Sequence, residues 1–341
     1  MTANSQKKLK FYIALQGNHN PNNYIKLSQH IEKLGFNRIY VYDDLFYYPS
    51  IPILTLMAEH TKTIEIGPCL LNGFYRHPAI ITSSILAINE IAKNRTVLGL
   101  GRGAFFDFLG MDSSEETTRQ AFEENVKLIS HFLAKKKEKF EGKHFNSNEN
   151  AFLRIESANI PLIGGTWNED MAYITGKYCD EIQIADVWDI DYLNRLQNSF
   201  LIGNCESNLV KNPKFSIGGI CCISNDEIKC RKKVVETLIV YLPYLTNILD
   251  RCNVKYNKSD IETISKLSKA GKIKEASKYV TNEMIDTLTI WGTPKKAAKR
   301  INKTLESVNV NSIMFSVPFG IEDSVEKNVE LIKNELLPLI K

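Results

Sequence analysis

The sequence predicts an α/β fold, a (β/α)8 barrel of the TIM type with insertions. Three observations lead there. Short apolar runs rich in β-branched and aromatic residues alternate with helical patterns along the whole chain. Eight such strand–helix units fit in 341 residues, the number and length that a βα barrel needs. The alternative, a doubly wound sheet, usually has fewer strands per domain and would need a second domain, yet no linker divides the chain. One domain over residues 1–341 is expected, with an excursion near 138–158 and a helical insertion near 240–288.

The elements follow in order. FYIALQ (Phe11–Gln16) is a short apolar strand. Tyr24, Leu27, Ile31 and Leu34 then recur at helical spacing, and Gly35 closes the helix. RIYVY (Arg38–Tyr42) is the second strand, and Pro52 lies in the first turn of the helix after it. TIEIGPCLL, HPAIITSSILAINEIAK and RTVLGLG form a strand–helix–strand unit. A long helix is expected from about Ser114 to Lys136, with Glu115 and Glu116 suiting its N-terminus. EGKHFNSNENAFLRIES reads as a surface hairpin or extended excursion. Alternation resumes with IPLIGG, the helix EDMAYITGKY, DEIQIA, the helix DIDYLNRLQNSF and KFSIGGICCIS. A helical stretch from about Asp226 to Asp286 breaks at Gly271. A helix capped by Thr293, with Pro294 after it, leads to the eighth strand, SIMFSV, and a last helix.

Composition narrows the function classes. With 43 basic and 39 acidic residues the net charge is +4, too balanced for a nucleic-acid binder. The densest basic run, Ala134 to His144, reads as a solvated helix end. No apolar stretch approaches the roughly 18 residues that span a membrane, and the polar opening MTANSQKKLK has no secretory pattern. The seven cysteines form no CxxC pair, and no cluster has metal-ligand spacing. A cytoplasmic protein with reduced thiols and a small-molecule substrate is expected, without nucleic acid, membrane or metal.

In a βα barrel the chemistry sits at the C-terminal ends of the strands. That rule selects Gln16, Gly17, Asn18 and His19 after the first strand, and Asp43, Asp44 and Phe46 after the second. The third strand contributes Cys69, Leu70, Leu71 and Asn72, followed by Tyr75, Arg76 and His77. Arg102, Gly103, Ala104 and Asp107 follow the fourth, Gly164, Gly165, Thr166 and Trp167 the fifth, and Ala185, Asp186 and Trp188 the sixth. Gly101, Gly103 and Gly165 could allow backbone contact with a flat ring or a phosphate. The helix opened by GGTWNED could hold a phosphate on free N–H groups, or its glycines could simply permit a tight turn. Asp43 and Asp44 could be a base and its orienter, or caps of a βα loop. Cys69 reads as a buried thiol rather than a nucleophile, and His77 as a structural residue before Pro78. Adjacent Cys221 and Cys222 point to opposite faces of a strand and cannot chelate together.

The stretch IEIGPCLLNGFYRHPAIITSSILAINEIAKNRTVLGLGRGA resembles the central signature of the luciferase-like flavin and deazaflavin oxidoreductases. RHPA after a strand, the helix ending NEIAKNR and the strand VLGLGRG carry the likeness together. Tyr279–Lys303, YVTNEMIDTLTIWGTPKKAAKRINK, is similar to the C-terminal part of the coenzyme F420-dependent methylenetetrahydromethanopterin reductases. The resemblance spans about residues 9 to 320. It implies a TIM barrel that holds coenzyme F420, or FMN in other branches, and hydride transfer at the ring. It implies a bulge in the third strand, often with a non-prolyl cis peptide, that backs the ring; the matching bond is Cys69–Leu70. It implies a homodimer or homotetramer.

Three family positions differ. The Glu at the end of the first strand is matched by Ala14, with Gln16 nearby; the Asp-His after the second is Asp43-Asp44; the Glu after the fourth is Ala104. A carboxylic acid lets a site give or take a proton at neutral pH, so Asp44 is the first candidate for that role, with Asp43, Gln16 and Asp107 behind it. The expected cofactor contacts are Cys69, Leu70, Asn72, Arg102, Gly103, Ala104, Gly164, Gly165 and Thr166. The leading function is an F420-dependent oxidoreductase, a methylenetetrahydromethanopterin reductase or a relative with an altered substrate. An FMN-dependent monooxygenase and a catalytically inactive barrel serving as a binding subunit are the alternatives.

Overall fold

A computed structural model describes residues 9–111, 114–207, 210–321 and 324–341. The polar opening of the chain, apart from its last residues, lies outside them. The strands are β1 (Lys10–Leu15), β2 (Arg38–Tyr42), β3 (Glu65–Cys69), β4 (Leu98–Leu100), β5 (Phe140–Glu141), β6 (Asn146–Ser147), β7 (Leu162–Gly165), β8 (Glu181–Ala185), β9 (Lys214–Ile223), β10 (Ile290–Gly292) and β11 (Ser312–Ser316). The helices are α1 (Asn23–Lys33), α2 (Ser50–His60), α3 (Pro78–Ile91), α4 (Glu115–Leu133), α5 (Glu169–Tyr178), α6 (Ile190–Ser207), α7 (Glu227–Arg251), α8 (Lys258–Lys269), α9 (Ile273–Ala276), α10 (Asn282–Leu288), α11 (Pro294–Ser307) and α12 (Val325–Leu331). All eight expected strands are present. The chain forms two compact units.

The first unit takes in Lys10–Gln183 and Asn198–Phe215. Its parallel strands run in the order β1-β2-β3-β4-β7-β8, with β3 and β4 joined by the bridges Ile66–Thr96 and Leu71–Leu100. Each of these strands is followed by a helix, as a parallel sheet requires. The shared direction puts Gln16, Asp44, Leu70, Arg102 and Gly165 along one edge, at the strands' C-terminal ends. At the opposite ends Arg38, 1% exposed, bonds Glu181 at 3.0 Å and Glu65 at 2.8 Å. Its guanidinium lies 4.3 Å from the centre of the Tyr12 ring. A buried charge persists only when paired, and this pairing ties β1, β2, β3 and β8 together.

The excursion after α4 is an antiparallel hairpin, β5 with β6. Phe145 and partly buried Phe140 pack it on Leu128 and Phe132 of α4. The Glu124 carboxylate accepts the N–H groups of Lys143 (2.9 Å), His144 (2.7 Å) and Phe145 (3.1 Å), which anchors the turn.

The second unit takes in Ile184–Gln197 and Ser216–Lys341. Here β9 pairs in parallel with β11 along Ser216–Ile220 and with β10 along Cys221–Ile223. The helical stretch expected from Asp226 to Asp286 resolves into α7 to α10, and Gly271, at φ 71°, follows α8. β10 is an addition to the eight strands. Three residues are too few to show a period of two, so this strand is legible only beside β9. Thr293 caps α11 through a bond from the Lys296 N–H, as expected.

Candidate active site

After β1, Gln16 is buried and its Nε2 donates to Asp44 Oδ2 at 2.9 Å. Tyr24 fixes the loop by donating its hydroxyl to the Gln16 carbonyl, and the same hydroxyl accepts the His19 N–H at 3.1 Å. Gln16 Oε1 is buried without a partner among the described residues. Burial pushes the Asp44 carboxyl up; the Gln16 bond lowers it in part, and the Asp43 charge raises it again. Asp44 therefore holds its proton to higher pH than an ordinary carboxyl.

Asp43 has a different job. Its Oδ1 accepts the Ser50 N–H at 2.9 Å and the Ser50 hydroxyl at 2.8 Å at the start of α2. Its Oδ2 pairs with Arg76, which follows β3. Of the two readings of this aspartate pair, loop cap describes Asp43. Asp44, one residue on, bonds neither Ser50 nor Arg76 and is left with Oδ1 unbonded by any described residue.

The Cys69–Leu70 peptide bond is cis. The Leu70 side chain fills the space over three glycines. A Cβ on Gly165 would stand 2.0 Å from Leu70 Cδ1, on Gly101 2.9 Å from Cδ1, and on Gly99 2.9 Å from Cδ2. Gly101 and Gly165 thus lack side chains to admit Leu70, which corrects the expectation that their open faces await a ring or phosphate. Gly103, at φ 90°, is required by its backbone, and a Cβ there would meet Phe106 and Asn72. Gly164 admits the side chain of Thr175 from α5.

Asn72 closes the turn after β3, its Oδ1 accepting the N–H groups of Phe74 (3.1 Å) and Tyr75 (3.0 Å). Tyr75 donates its hydroxyl to the Ala104 carbonyl. Burial and the nearby Asp107 charge push that hydroxyl above its ordinary value. Asp107 is exposed on a short 3₁₀ turn, Phe106–Leu109. Half-buried Arg102 ends this edge, and its guanidinium has no hydrogen bond or ion pair to any described residue.

The N-terminus of α5 is already satisfied. Asn168 Oδ1 accepts the N–H groups of Asp170 (2.8 Å) and Met171 (3.1 Å), and Glu169 and Asp170 occupy the first turn. Two of the N–H groups that could have held a phosphate are spent, and two carboxylates sit where an anion would lie. Thr166 Oγ1 accepts the Asn168 N–H at 2.9 Å. His77 caps α3 by accepting the Ala79 N–H at 3.2 Å, the structural role expected of it.

In the second unit, Asp186 follows β8 in a left-handed conformation, φ 57°. Its Oδ1 accepts the Ile220 N–H at 2.7 Å, and its own N–H donates to Gly218 at 2.8 Å. Gly219, at φ 113°, makes the room: a Cβ there would lie 2.2 Å from Asp186 Oδ1. Burial pushes this carboxyl up to about 7, against the lowering effect of the Ile220 bond. The strand-end rule reaches Asp186, but nothing in its sequence context signals the shift. Nearby in sequence, Trp188 Nε1 is buried without a partner among the described residues.

These strand ends carry a carboxyl that burial makes hold its proton to higher pH than usual, a buried acceptor without a partner and a cation without a counter-charge among the described residues. The chain belongs to the luciferase-like monooxygenase family, which it matches over residues 9–312. It is similar to the 5,10-methylenetetrahydromethanopterin reductase of Archaeoglobus fulgidus, with 26% identity over 327 residues, 93% of this chain and 95% of that one. The solved coenzyme F420-dependent tetrahydromethanopterin reductase of Methanopyrus kandleri superposes with a TM-score of 0.83 at 23% identity, covering 98% of this chain and 100% of that one. An F420-dependent secondary alcohol dehydrogenase superposes at 0.78, with 17% identity over 98% of this chain and 99% of that one. The fold is the (β/α)8 barrel with insertions that the alternation predicts.

Proposed function

We propose that this protein is a coenzyme F420-dependent oxidoreductase that acts on a pterin-type carbon substrate, as a 5,10-methylenetetrahydromethanopterin reductase or a relative with an altered substrate. The observation that carries the reading is the Gln16–Asp44 pair at the C-terminal ends of β1 and β2. It puts a carboxyl whose proton affinity is raised by burial on the strand ends of a chain similar to these reductases over nearly its full length. It also offers a replacement for the family's missing Glu at Ala14.

The residues suit a deazaflavin. Gln16 Oε1, buried and unpartnered, can accept a ring N–H. Leu70 supplies an apolar surface between β3, β4 and β7. Arg102, without a counter-charge among the described residues, suits an anionic side chain of the cofactor, and Asn72, Gly103, Ala104 and Thr166 offer polar or backbone contacts beside it. The α5 terminus, already capped, is not assigned the phosphate. A bound deazaflavin would give or accept the hydride. The accompanying proton is held or released by Asp44 at Oδ1, while the bond from Gln16 to Oδ2 keeps the carboxyl oriented. A single barrel domain, assembly as a homodimer or homotetramer, a cytoplasmic location and no nucleic-acid partner belong to the same reading. Seven free cysteines, a near-balanced charge and, among the described residues, no helix long and apolar enough to cross a membrane support it.

The test is titration of the purified protein with F420 and, separately, with FMN, followed by fluorescence quenching. Micromolar affinity for F420 with FMN ignored is expected. Tight binding of FMN alone assigns the protein to the flavin branch. Binding of neither below about 1 mM, only about 4 kcal/mol of affinity, leaves the inactive barrel.

A further inference from the structure

We propose that Phe46, Phe105 and Phe108 form a stacking face that selects a flat heteroaromatic substrate. Phe46 lies on the loop after β2, two residues beyond Asp44, and Phe105 and Phe108 lie after β4. The ring of Phe108 stands 5.4 Å from that of Phe105 and 6.5 Å from that of Phe46, turned 25° and 26° from them. Phe108 thus lies nearly parallel to each of the other two rings, across two loops of one unit. Phe46 is 78% exposed and Phe108 55%, although a free Phe ring gains by leaving water.

Both loops hold these rings at a conformational cost. Phe46 has φ 68° and Phe105 φ 60°, a region that bulky side chains rarely occupy. Such strain, where observed, points to function. The row has a firm backing, since Phe106 is buried beneath the loop, 5.5 Å from Phe74 and 5.2 Å from Tyr75. Near-parallel ring planes are what a flat ring needs for stacking, whereas a protein partner needs only apolar area. The exposed carboxylate of Asp107, next to Phe108, suits a ring that carries amino or N–H donors.

The identity of the probe rests on the reductase reading; the stacking face does not. The experiment measures by calorimetry the affinity of tetrahydromethanopterin and of pterin-6-carboxylate for the full chain, for F46A, F108A and the double variant, and for F46L/F108L. F420 affinity and mass by light scattering are recorded on the same samples. Both pterins should bind the unmodified chain, and affinity should fall about tenfold for each ring removed. Leucine, which restores apolar area without a π face, should not recover it, and F420 affinity should hold. The proposal is overturned if neither pterin binds the unmodified chain, if the alanine variants bind as well, or if the leucine variant does. It is also overturned if the variants change mass while pterin affinity stays, because the rings then serve a subunit contact. If F420 fails to bind but pterin affinity still depends on the rings, the stacking face stands and the cofactor assignment falls.

Discussion

Asp43 and Asp44 are neighbours with different surroundings, and substitution should separate them. Asp44→Asn removes the titrating proton while keeping an oxygen and similar bulk. Turnover should fall by about 10²–10⁴-fold, the usual worth of a general acid–base group, with F420 affinity preserved. Asp43→Ala leaves Arg76 without its partner and removes the Ser50 cap, a loss of about 1 kcal/mol for the cap alone. It should lower the melting temperature by a few degrees. Equal loss of turnover in both variants, with no thermal difference between them, would refute this division. Asp186 makes a pH prediction. Its carboxyl titrates near 7 in the folded chain against 3.8 ordinarily, so the native state binds the proton more tightly than the unfolded one. Its contribution is complete at low pH and is lost as pH rises from about 4 to about 7. Asp186→Asn keeps an oxygen for the Ile220 N–H but no longer titrates. The melting temperature of the variant minus that of the unmodified chain should climb across this window and level off above it. A flat difference would show that Asp186 does not carry the shift.

Among the elements, the strand starts depend on one buried charge. Arg38 begins β2, Glu65 begins β3 and Glu181 begins β8, with Tyr12 of β1 beneath the guanidinium. Burial raises the Glu65 carboxyl, but Arg38 and Lys10 more than offset it and hold it below its usual value. Glu181→Gln leaves the guanidinium short of charge in a site it cannot leave. Denaturant unfolding should show a loss of about 3–5 kcal/mol, the cost of breaking a buried pair from one side. Replacing Arg38 by Met and Glu181 by Leu together should recover much of it. A loss under about 0.5 kcal/mol for Glu181→Gln would place the network among ordinary surface ion pairs. The β5–β6 hairpin is held differently, by the Glu124 carboxylate and a small aromatic core that also takes in Phe74 of the loop after β3.

The molecule as a whole keeps the family's frame while several strand-end residues differ from those the resemblance leads one to expect. Length is conserved at 93% and 95% coverage with the reductase from Archaeoglobus fulgidus, and the backbone superposes at a TM-score of 0.83 with the reductase from Methanopyrus kandleri. Yet Ala14 and Ala104 stand where carboxylates are expected. We propose that the strand-end carboxyl is supplied one strand away, by Asp44; a second raised carboxyl, Asp186, stands after β8. A barrel tolerates such exchange because its frame is buried strand and helix while its chemistry sits on connecting loops.

The alternation of strands and helices, the cap at Thr293 and the break at Gly271 were legible in the chain itself, because each follows from residues within a few positions of one another. The strand-end rule likewise marked the rim on which the candidates lie. The division of labour among those candidates was not legible. Gln16 meets Asp44 across 28 residues, Arg76 meets Asp43 across 33 and Ile220 meets Asp186 across 34. Leu70 fills the spaces that three distant glycines leave open. Periodicity and propensity are local and can be read along a strand or helix; burial, hydrogen-bond partners and the proton affinity of a carboxyl come from neighbours that only the folded chain brings together.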